Sequence, residues 1–230
     1  MTDLVPAARE HVEALGRRDP FWPAQLTVLA AIALSLDLPS SLTVPGRVWL
    51  IPAIEGVLLA GLVLSTPWVP THRHRQRRRV ALSLVALVSA SNLVNLGLLV
   101  HKVLHPALLP SASPGRQLIV AGVEIWITNV LLFTVWYWEL DRGGPIARQT
   151  EAPQAPDFYF PQMSDEHLGG LEWRATYIDY MYTSFTNATA FSPTDTMPLT
   201  PMAKLLMGAQ SLASLITIGM VFARAVNILQ

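Results

Sequence analysis

Two glutamates, Glu55 and Glu124, lie inside long apolar runs of the sequence. A carboxyl group costs about 2.5–3.5 kcal/mol to insert into hydrocarbon, so an ionisable residue within a membrane span is a functional candidate by default. Such a group holds a proton or cation, or it forms a purely structural hydrogen bond between helices. Asn92 and Asn95 are three residues apart on one helical face, which predicts polar contacts between helices.

Residues 177–198 form the stretch that is richest in hydroxyl and aromatic side chains. A short helix-forming segment precedes a polar turn, and a long apolar run follows the turn. A re-entrant pore segment consists of a half-length helix, a loop and a full-length helix, in this order. Its loop is non-helical backbone at membrane depth, which must be buried in protein or line a water-filled cavity. The candidate pore-lining residues are those with hydroxyl groups, Thr186, Thr189, Ser192 and Thr194, together with Asp195.

Other kinds of chemistry find little support in the residue pattern. The chain has no cysteine, and it has no phosphate-binding glycine loop or nucleophile elbow. His101 and His105 are four residues apart, a spacing that can bind a metal, but no carboxylate or cysteine supports them. We therefore expect no enzyme activity, no metal site and no cofactor.

Long apolar segments must position these residues. Hydrophobic residues make up 51% of the 230-residue chain and charged residues 14%, against about 25% charged residues in soluble domains. A membrane helix needs about 20 mostly apolar residues. The candidate spans cover residues 22–38, 48–66, 80–100, 118–138 and 202–227. The predicted fold is an all-α integral membrane protein with about five transmembrane helices plus one re-entrant, pore-like half-helix.

Charge clustering divides the chain and orients it. Five arginines lie within residues 73–79, so the positive-inside rule places this loop in the cytoplasm, where it contacts anionic lipid. Two further spans then return the acidic segment to the cytoplasm, whereas Arg224 favours a cytoplasmic C-terminus. The predicted units are an amphipathic N-terminal segment (1–20), a four-helix transmembrane bundle (21–140), an acidic proline-rich loop (141–175), and the pore-helix-like segment with the final transmembrane helix (176–230).

The stretch from Tyr182 to Pro198 resembles the pore domain of potassium channels. The family pattern is a Tyr-x-Ser-Phe helix start, threonines, a Thr-Val-Gly-Tyr-Gly filter, and Asp-x-x-Pro before an inner helix. In this resemblance the filter falls on Ala190, Phe191, Ser192, Pro193 and Thr194, which lack both glycines and place Pro193 at the central aromatic position. Filter glycines adopt positive φ, whereas proline fixes φ at about −65°. The resemblance implies a pore frame with a degenerate filter, carried by Tyr182, Ser184, Phe185, Thr189, Asp195 and Pro198.

A wider resemblance is to a bacterial family of polytopic membrane proteins of unknown function. The shared features are four spans, an arginine-rich second loop, an acidic segment, an Asp-x-x-Tyr-x-x-Phe-Thr helix and a closing helix that ends in Ala-Val-Asn. The residues that carry it are Gly143, Gly144, Asp157, Phe158, Pro161, Asp179, Tyr182, Phe185, Thr186, Asp195, Ala225, Val226 and Asn227. This resemblance implies a multi-pass protein of the bacterial inner membrane and implies no activity.

Three functions stay open from the sequence. The first is an ion-channel-like protein that conducts monovalent cations as a homo-oligomer, a tetramer if it is a channel. The second is a non-conducting membrane scaffold or sensor. The third is a proton- or cation-coupled transporter that uses Glu55 and Glu124, although internal repeats are absent. We expect no nucleic-acid partner, because the net charge is zero and lipid headgroups account for the arginine run.

Overall fold

The structure is a computed structural model that describes residues 20–38, 50–65, 74–105, 115–149, 154–164, 173–189 and 195–228. The described residues form six α-helices: α1 (Trp22–Asp37), α2 (Leu50–Ser65), α3 (His74–Leu104), α4 (Gly115–Leu140), α5 (Tyr177–Thr189) and α6 (Pro201–Ile228). Short 3₁₀ turns lie at Asp141–Gly143, Ala147–Gln149 and Pro161–Ser164. Two strands, β1 (Phe158–Tyr159) and β2 (Met197–Pro198), pair antiparallel, with Phe158 opposite Pro198.

The all-α prediction is confirmed, and each predicted apolar run contains a helix. The segments Gln76–Leu104, Arg116–Gly143 and Pro201–Val226 are long and apolar enough to cross a membrane. α1 and α2 are apolar but have only 16 residues each, about 24 Å of helix. α3 begins at His74 instead of residue 80, because arginine is a good helix former and the arginine run extends the helix. The predicted N-terminal amphipathic segment, apart from Pro20, lies outside the described residues.

α4 is the central helix of the bundle. It packs against α1, α3, α5 and α6, while α2 packs on α1 and α3. The main apolar core includes Val28, Leu84, Leu132 and Trp138, all at most 4% exposed. A smaller core around Ile125 joins α3 and α4 toward the other end of these helices.

α6 arranges its side chains in the opposite way to a helix of a soluble protein. Gln210 and Ser214 are buried, at 0% and 1% exposure. Leu205, Leu212 and Phe222 are 70%, 60% and 67% exposed. A helix of a soluble protein turns its apolar stripe to the core and its polar face to water. The outer surface of α6 is therefore largely apolar, while Gln210, Ser214 and Thr217 lie on its buried face.

The start of α3, with its arginines, and the end of α4, which leads into the acidic segment, lie at the same end of the bundle. Arg78 at the start of α3 donates to the carbonyl of Glu139 at the end of α4, at 2.9 Å. The ring of Trp138 lies 5.7 Å from Phe21, just before α1, and 5.8 Å from Tyr177, the first residue of α5. We call this the basic end. The described part of the acidic segment follows α4 directly and thus lies on the same side as the arginines, as the count of spans predicts.

Candidate functional site

α5 enters the bundle from the basic end and stops deep beside α4. The indole N–H of Trp126 donates to the carbonyl of Ala188 at 3.5 Å. Trp126 is 14 residues before the end of α4, and the 13 residues of α5 are about 20 Å long. The chain then returns: the hydroxyl of Thr196 is 3.1 Å from that of Thr183, and β2 pairs with β1. We call the described residues 177–189 and 195–198 together the α5 hairpin.

A buried hydrogen-bond network centred on Gln210 of α6 holds the inner face of α5. The amide nitrogen of Gln210 donates to the carbonyl and hydroxyl oxygens of Ser184, at 2.9 and 2.7 Å. Its amide oxygen accepts hydrogen bonds from the hydroxyl of Tyr137 and from the side-chain nitrogen of Asn187, at 2.5 and 2.8 Å. Ser184 donates in turn to the carbonyl of Val130 at 2.7 Å. The Gln210 side chain is therefore fully bonded, and it ties α4, α5 and α6 together.

The network continues one turn deeper along α6. Asn129 of α4 donates to the hydroxyl of Ser214 at 2.9 Å and to the carbonyl of Gln210 at 3.3 Å. Ser211 donates to the amide oxygen of Asn187 at 3.1 Å. The α6 members of this network are not among the residues predicted from the sequence. The signal that reveals them is the recurrence of polar residues every three or four positions in an otherwise apolar run, at Gln210, Ser214 and Thr217.

Two carboxylates fasten the open end of the α5 hairpin. Asp141, only 1% exposed, accepts hydrogen bonds from the hydroxyl of Tyr180 at 2.6 Å and from the backbone nitrogen of Asp157 at 2.8 Å. The carboxylate of Asp157 accepts a hydrogen bond from the backbone nitrogen of Arg142 at 3.0 Å. It accepts a second one, at 2.7 Å, from the hydroxyl of Thr200, which precedes α6. The end of α4, the acidic segment, α5 and the start of α6 are thus joined at two side chains.

Aromatic rings and a glycine turn dock the acidic segment on the helices. The ring of Phe158 is fully buried, 5.0 Å from that of Tyr137, and Phe160 meets Tyr180 edge-on at 5.6 Å. The turn out of α4 uses positive φ at Gly144, 98°, where an added Cβ would lie 3.2 Å from the Glu139 carbonyl. This part of the predicted loop is therefore a packed element of the bundle.

The outer face of α5 carries the described pore-like residues. The hydroxyls of Thr186 and Thr189 donate to carbonyls of their own helix, at 2.8 and 2.9 Å. Tyr182 and Phe185 are 57% and 47% exposed, and Asp195 is also exposed. The described face is thus mostly aromatic and apolar, with its threonine hydroxyls bonded within the helix. The filter-like Ala190, Phe191, Ser192, Pro193 and Thr194 lie outside the described residues.

The two glutamates lie apart from the α5 hairpin and at different helix interfaces. Glu55 of α2 is fully buried and accepts a hydrogen bond from the hydroxyl of Ser91 on α3 at 3.0 Å. Glu124 of α4 faces the carboxyl group of Asp37 at the end of α1. The structure therefore does not bring Glu55 and Glu124 together into one site.

The asparagines singled out from the sequence lie on α3. The side-chain nitrogen of Asn92 donates to the carbonyl of Ile125 at 3.3 Å and so links α3 to α4. Asn95 is buried, at 8% exposure. Asn129, on α4, belongs to the Gln210 network. Within the described segments, no group of three or more His, Cys, Asp or Glu side chains is placed to hold a metal ion.

No family model, no curated protein and no solved structure matches the chain. Its function is therefore inferred from its own geometry.

Proposed function

We propose that the chain is a multi-pass membrane protein with a channel-like architecture, in which the α5 hairpin re-enters the bilayer from the basic end. The observation that carries this proposal is the reversal of the chain. Ala188 lies beside Trp126, deep along α4, whereas Met197 and Pro198 are back beside β1. A short helix, a non-helical return and a long helix in this order are the parts of a pore loop.

The surface of the bundle supports a lipid environment. Three helices are long and apolar enough to span a bilayer, and α1 and α2 supply two shorter spans. α6 buries polar side chains and exposes leucines. Trp22, at the basic end, is 60% exposed, in keeping with the preference of tryptophan for the headgroup layer. By the positive-inside rule the basic end faces the cytoplasm, of a bacterial inner membrane in this proposal.

This orientation inverts the pore relative to potassium channels, in which the pore loop enters from outside. The pore would lie on the symmetry axis of a homo-oligomer, with residues 190–194 and the exposed Asp195 nearest the permeant monovalent cations. Tyr182 and Phe185 on the outer face of α5 would then contact neighbouring subunits. The missing glycines argue that selectivity differs from that of a potassium filter.

Flux through liposomes tests conduction. The purified chain is reconstituted, and potassium or sodium flux down a gradient is compared with flux through empty liposomes. We expect flux above the background, and we expect Asp195→Asn to change it, because that carboxylate is exposed and directly precedes Thr196, which lies beside the middle of α5. Arg116→Gln is the control, since it removes an exposed charge at the start of α4, away from the hairpin. Folded protein that conducts neither ion would overturn the channel proposal.

One observation favours a second candidate, a non-conducting membrane scaffold. The threonine hydroxyls of α5 are bonded within the helix, and the exposed side chains around them include Ile178, Tyr182 and Phe185, at 68%, 57% and 47% exposure. Such a face suits contacts with apolar surfaces better than contacts with ions. Absence of flux from protein that keeps the α5 hairpin, as judged by cysteine labelling at its two ends, would favour the scaffold.

A further inference from the structure

We infer that Glu55 is a proton-binding site inside the membrane, with its carboxyl group protonated at neutral pH between α2 and α3. The Glu55 side chain is fully buried, at 0% exposure. Its Oε1 accepts a hydrogen bond from the hydroxyl of Ser91 at 3.0 Å. Its Oε2 is also buried and has no hydrogen-bond partner among the described residues. The inference rests on the membrane placement proposed above and is independent of conduction.

The contact with Ser91 places Glu55 far from both ends of α3. Ser91 is 17 residues after His74 and 13 residues before Leu104, about 25 and 20 Å along the helix. At this depth an ionised carboxylate would have a single hydrogen bond from the described residues. Burial of such a charge is far more costly than burial of the neutral acid, so the carboxyl group takes up a proton instead.

Within the described residues, the helices that pack on α2 bring no cation near Glu55. Glu55 is the one ionisable residue of α2, and α1 carries only Asp37, which is itself acidic. The ionisable residues of α3 lie toward its two ends: His74, Arg75, Arg77, Arg78, Arg79, His101 and Lys102. Arg79 is 12 residues before Ser91 and His101 is 10 residues after it, about 18 and 15 Å along the helix. A negative charge on Glu55 would therefore be unpaired.

Glu139 provides the contrast within the same bundle. This glutamate is also buried, at 3% exposure. Its carboxylate lies 3.9 Å from Nε of Arg78, and it also attracts Arg77. Nearby opposite charges favour the ionised form of a carboxyl group, whereas burial without them favours the neutral form. We therefore expect Glu139 to be a carboxylate and Glu55 to be an acid.

The oxygen atoms around Glu55 favour a proton over a metal cation as the ligand. Ca²⁺ takes six to eight oxygen ligands, and Mg²⁺ requires near-octahedral coordination. The described oxygens at this position are the carboxyl pair of Glu55 and the hydroxyl of Ser91. Among the described residues, Glu55 belongs to no group of three or more His, Cys, Asp or Glu side chains. A proton needs no further ligand.

Infrared difference spectroscopy of the purified chain in neutral detergent tests the inference. The carbonyl stretch of a protonated carboxyl group lies at higher wavenumber than the bands of a carboxylate. At neutral pH, the spectrum of the unsubstituted chain minus that of Glu55→Gln should contain this carbonyl band. Glu139→Gln is the matched control, because it removes an equally buried glutamate that faces two guanidinium groups. Its difference spectrum should contain carboxylate bands instead.

Ser91→Ala keeps the carboxyl group and removes the hydrogen bond to Oε1, so it should move the Glu55 band to higher wavenumber. This variant carries the test if Glu55→Gln does not fold. The band should be the same in sodium, potassium and choline chloride. Carboxylate bands for Glu55 in choline chloride, or a carbonyl band that Ser91→Ala leaves in place, would overturn the inference. Carboxylate bands in sodium or potassium chloride alone would also overturn it and would indicate a cation site. Neither ion flux nor topology enters this measurement, so its failure is distinct from failure of the proposed function.

Discussion

Replacing Gln210 by methionine should destabilise the bundle, because Gln210 is the hub that joins α5 to α4 and α6. Methionine has a similar length and volume, so the change removes hydrogen bonds without opening a large cavity. Four hydrogen bonds end on the Gln210 side chain. At about 0.6 kcal/mol for each hydrogen bond within a membrane, their loss amounts to about 2 kcal/mol. The Tyr137 hydroxyl also loses its acceptor, which adds about 1 kcal/mol or more.

We therefore expect Gln210→Met to lower the free energy of unfolding by about 2–4 kcal/mol. The assay is unfolding in mixed micelles with increasing dodecyl sulfate, followed by circular dichroism. Gln76→Met is the matched control, since Gln76 is exposed at the start of α3, and it should change stability by less than about 0.5 kcal/mol. Hydrogen exchange in α5 should also quicken in Gln210→Met and stay unchanged in the control. Equal stability of the two variants would refute the role given to the network.

Three further substitutions test other parts of the structure. Glu55→Gln should leave the unfolding midpoint in detergent nearly unchanged, because the amide oxygen can still accept the hydrogen bond from Ser91 and no buried charge is added. A large drop in the midpoint would show that the carboxylate itself is needed. Asp141→Asn should cost about 1.5–3 kcal/mol in the same micelle titration, since this buried oxygen pair accepts from Tyr180 and from backbone N–H groups. Gly144→Ala should lower the free energy of unfolding by about 1–3 kcal/mol, because φ is 98° at this position. Gly208→Ala is the control and should be neutral or stabilising, because nothing lies within 4 Å of the added carbon. Equal effects of the two substitutions would contradict the turn geometry.

The helices could be predicted from the sequence because apolar length is a local property. The runs that became α4 and α6 were located to within a few residues. The start of α3 could not be located in this way, because arginine is costly in hydrocarbon yet favours helix, and hydropathy detects only the first property. The placement of the arginine run and the acidic segment at one end follows from the count of crossings, which the sequence also supplied.

The polar network could not be predicted, because its members are far apart in the chain. Gln210 meets Ser184 across 26 residues, and Asn129 meets Ser214 across 85. The sequence showed Asn129 as one polar residue in an apolar run and could not indicate which helix it faces. Conversely, Thr186 and Thr189 stood out as pore-like residues by type, but their hydroxyls are bonded within α5. Residue type alone does not distinguish a hydroxyl that lines a pore from one that is bonded within its helix.

Cysteine labelling tests the central claim, that residues 177–198 dip into the membrane and return to the side they left. The chain contains no cysteine, so each variant carries a single reactive thiol. Gln154→Cys and Leu199→Cys lie before and after the hairpin at exposed positions, while Gln76→Cys and His105→Cys mark the two ends of α3. A membrane-impermeant maleimide should label positions 154, 199 and 76 from the cytoplasmic side and position 105 from the other side. Labelling of positions 154 and 199 from opposite sides would mean that this segment crosses the membrane, and it would contradict the re-entrant hairpin.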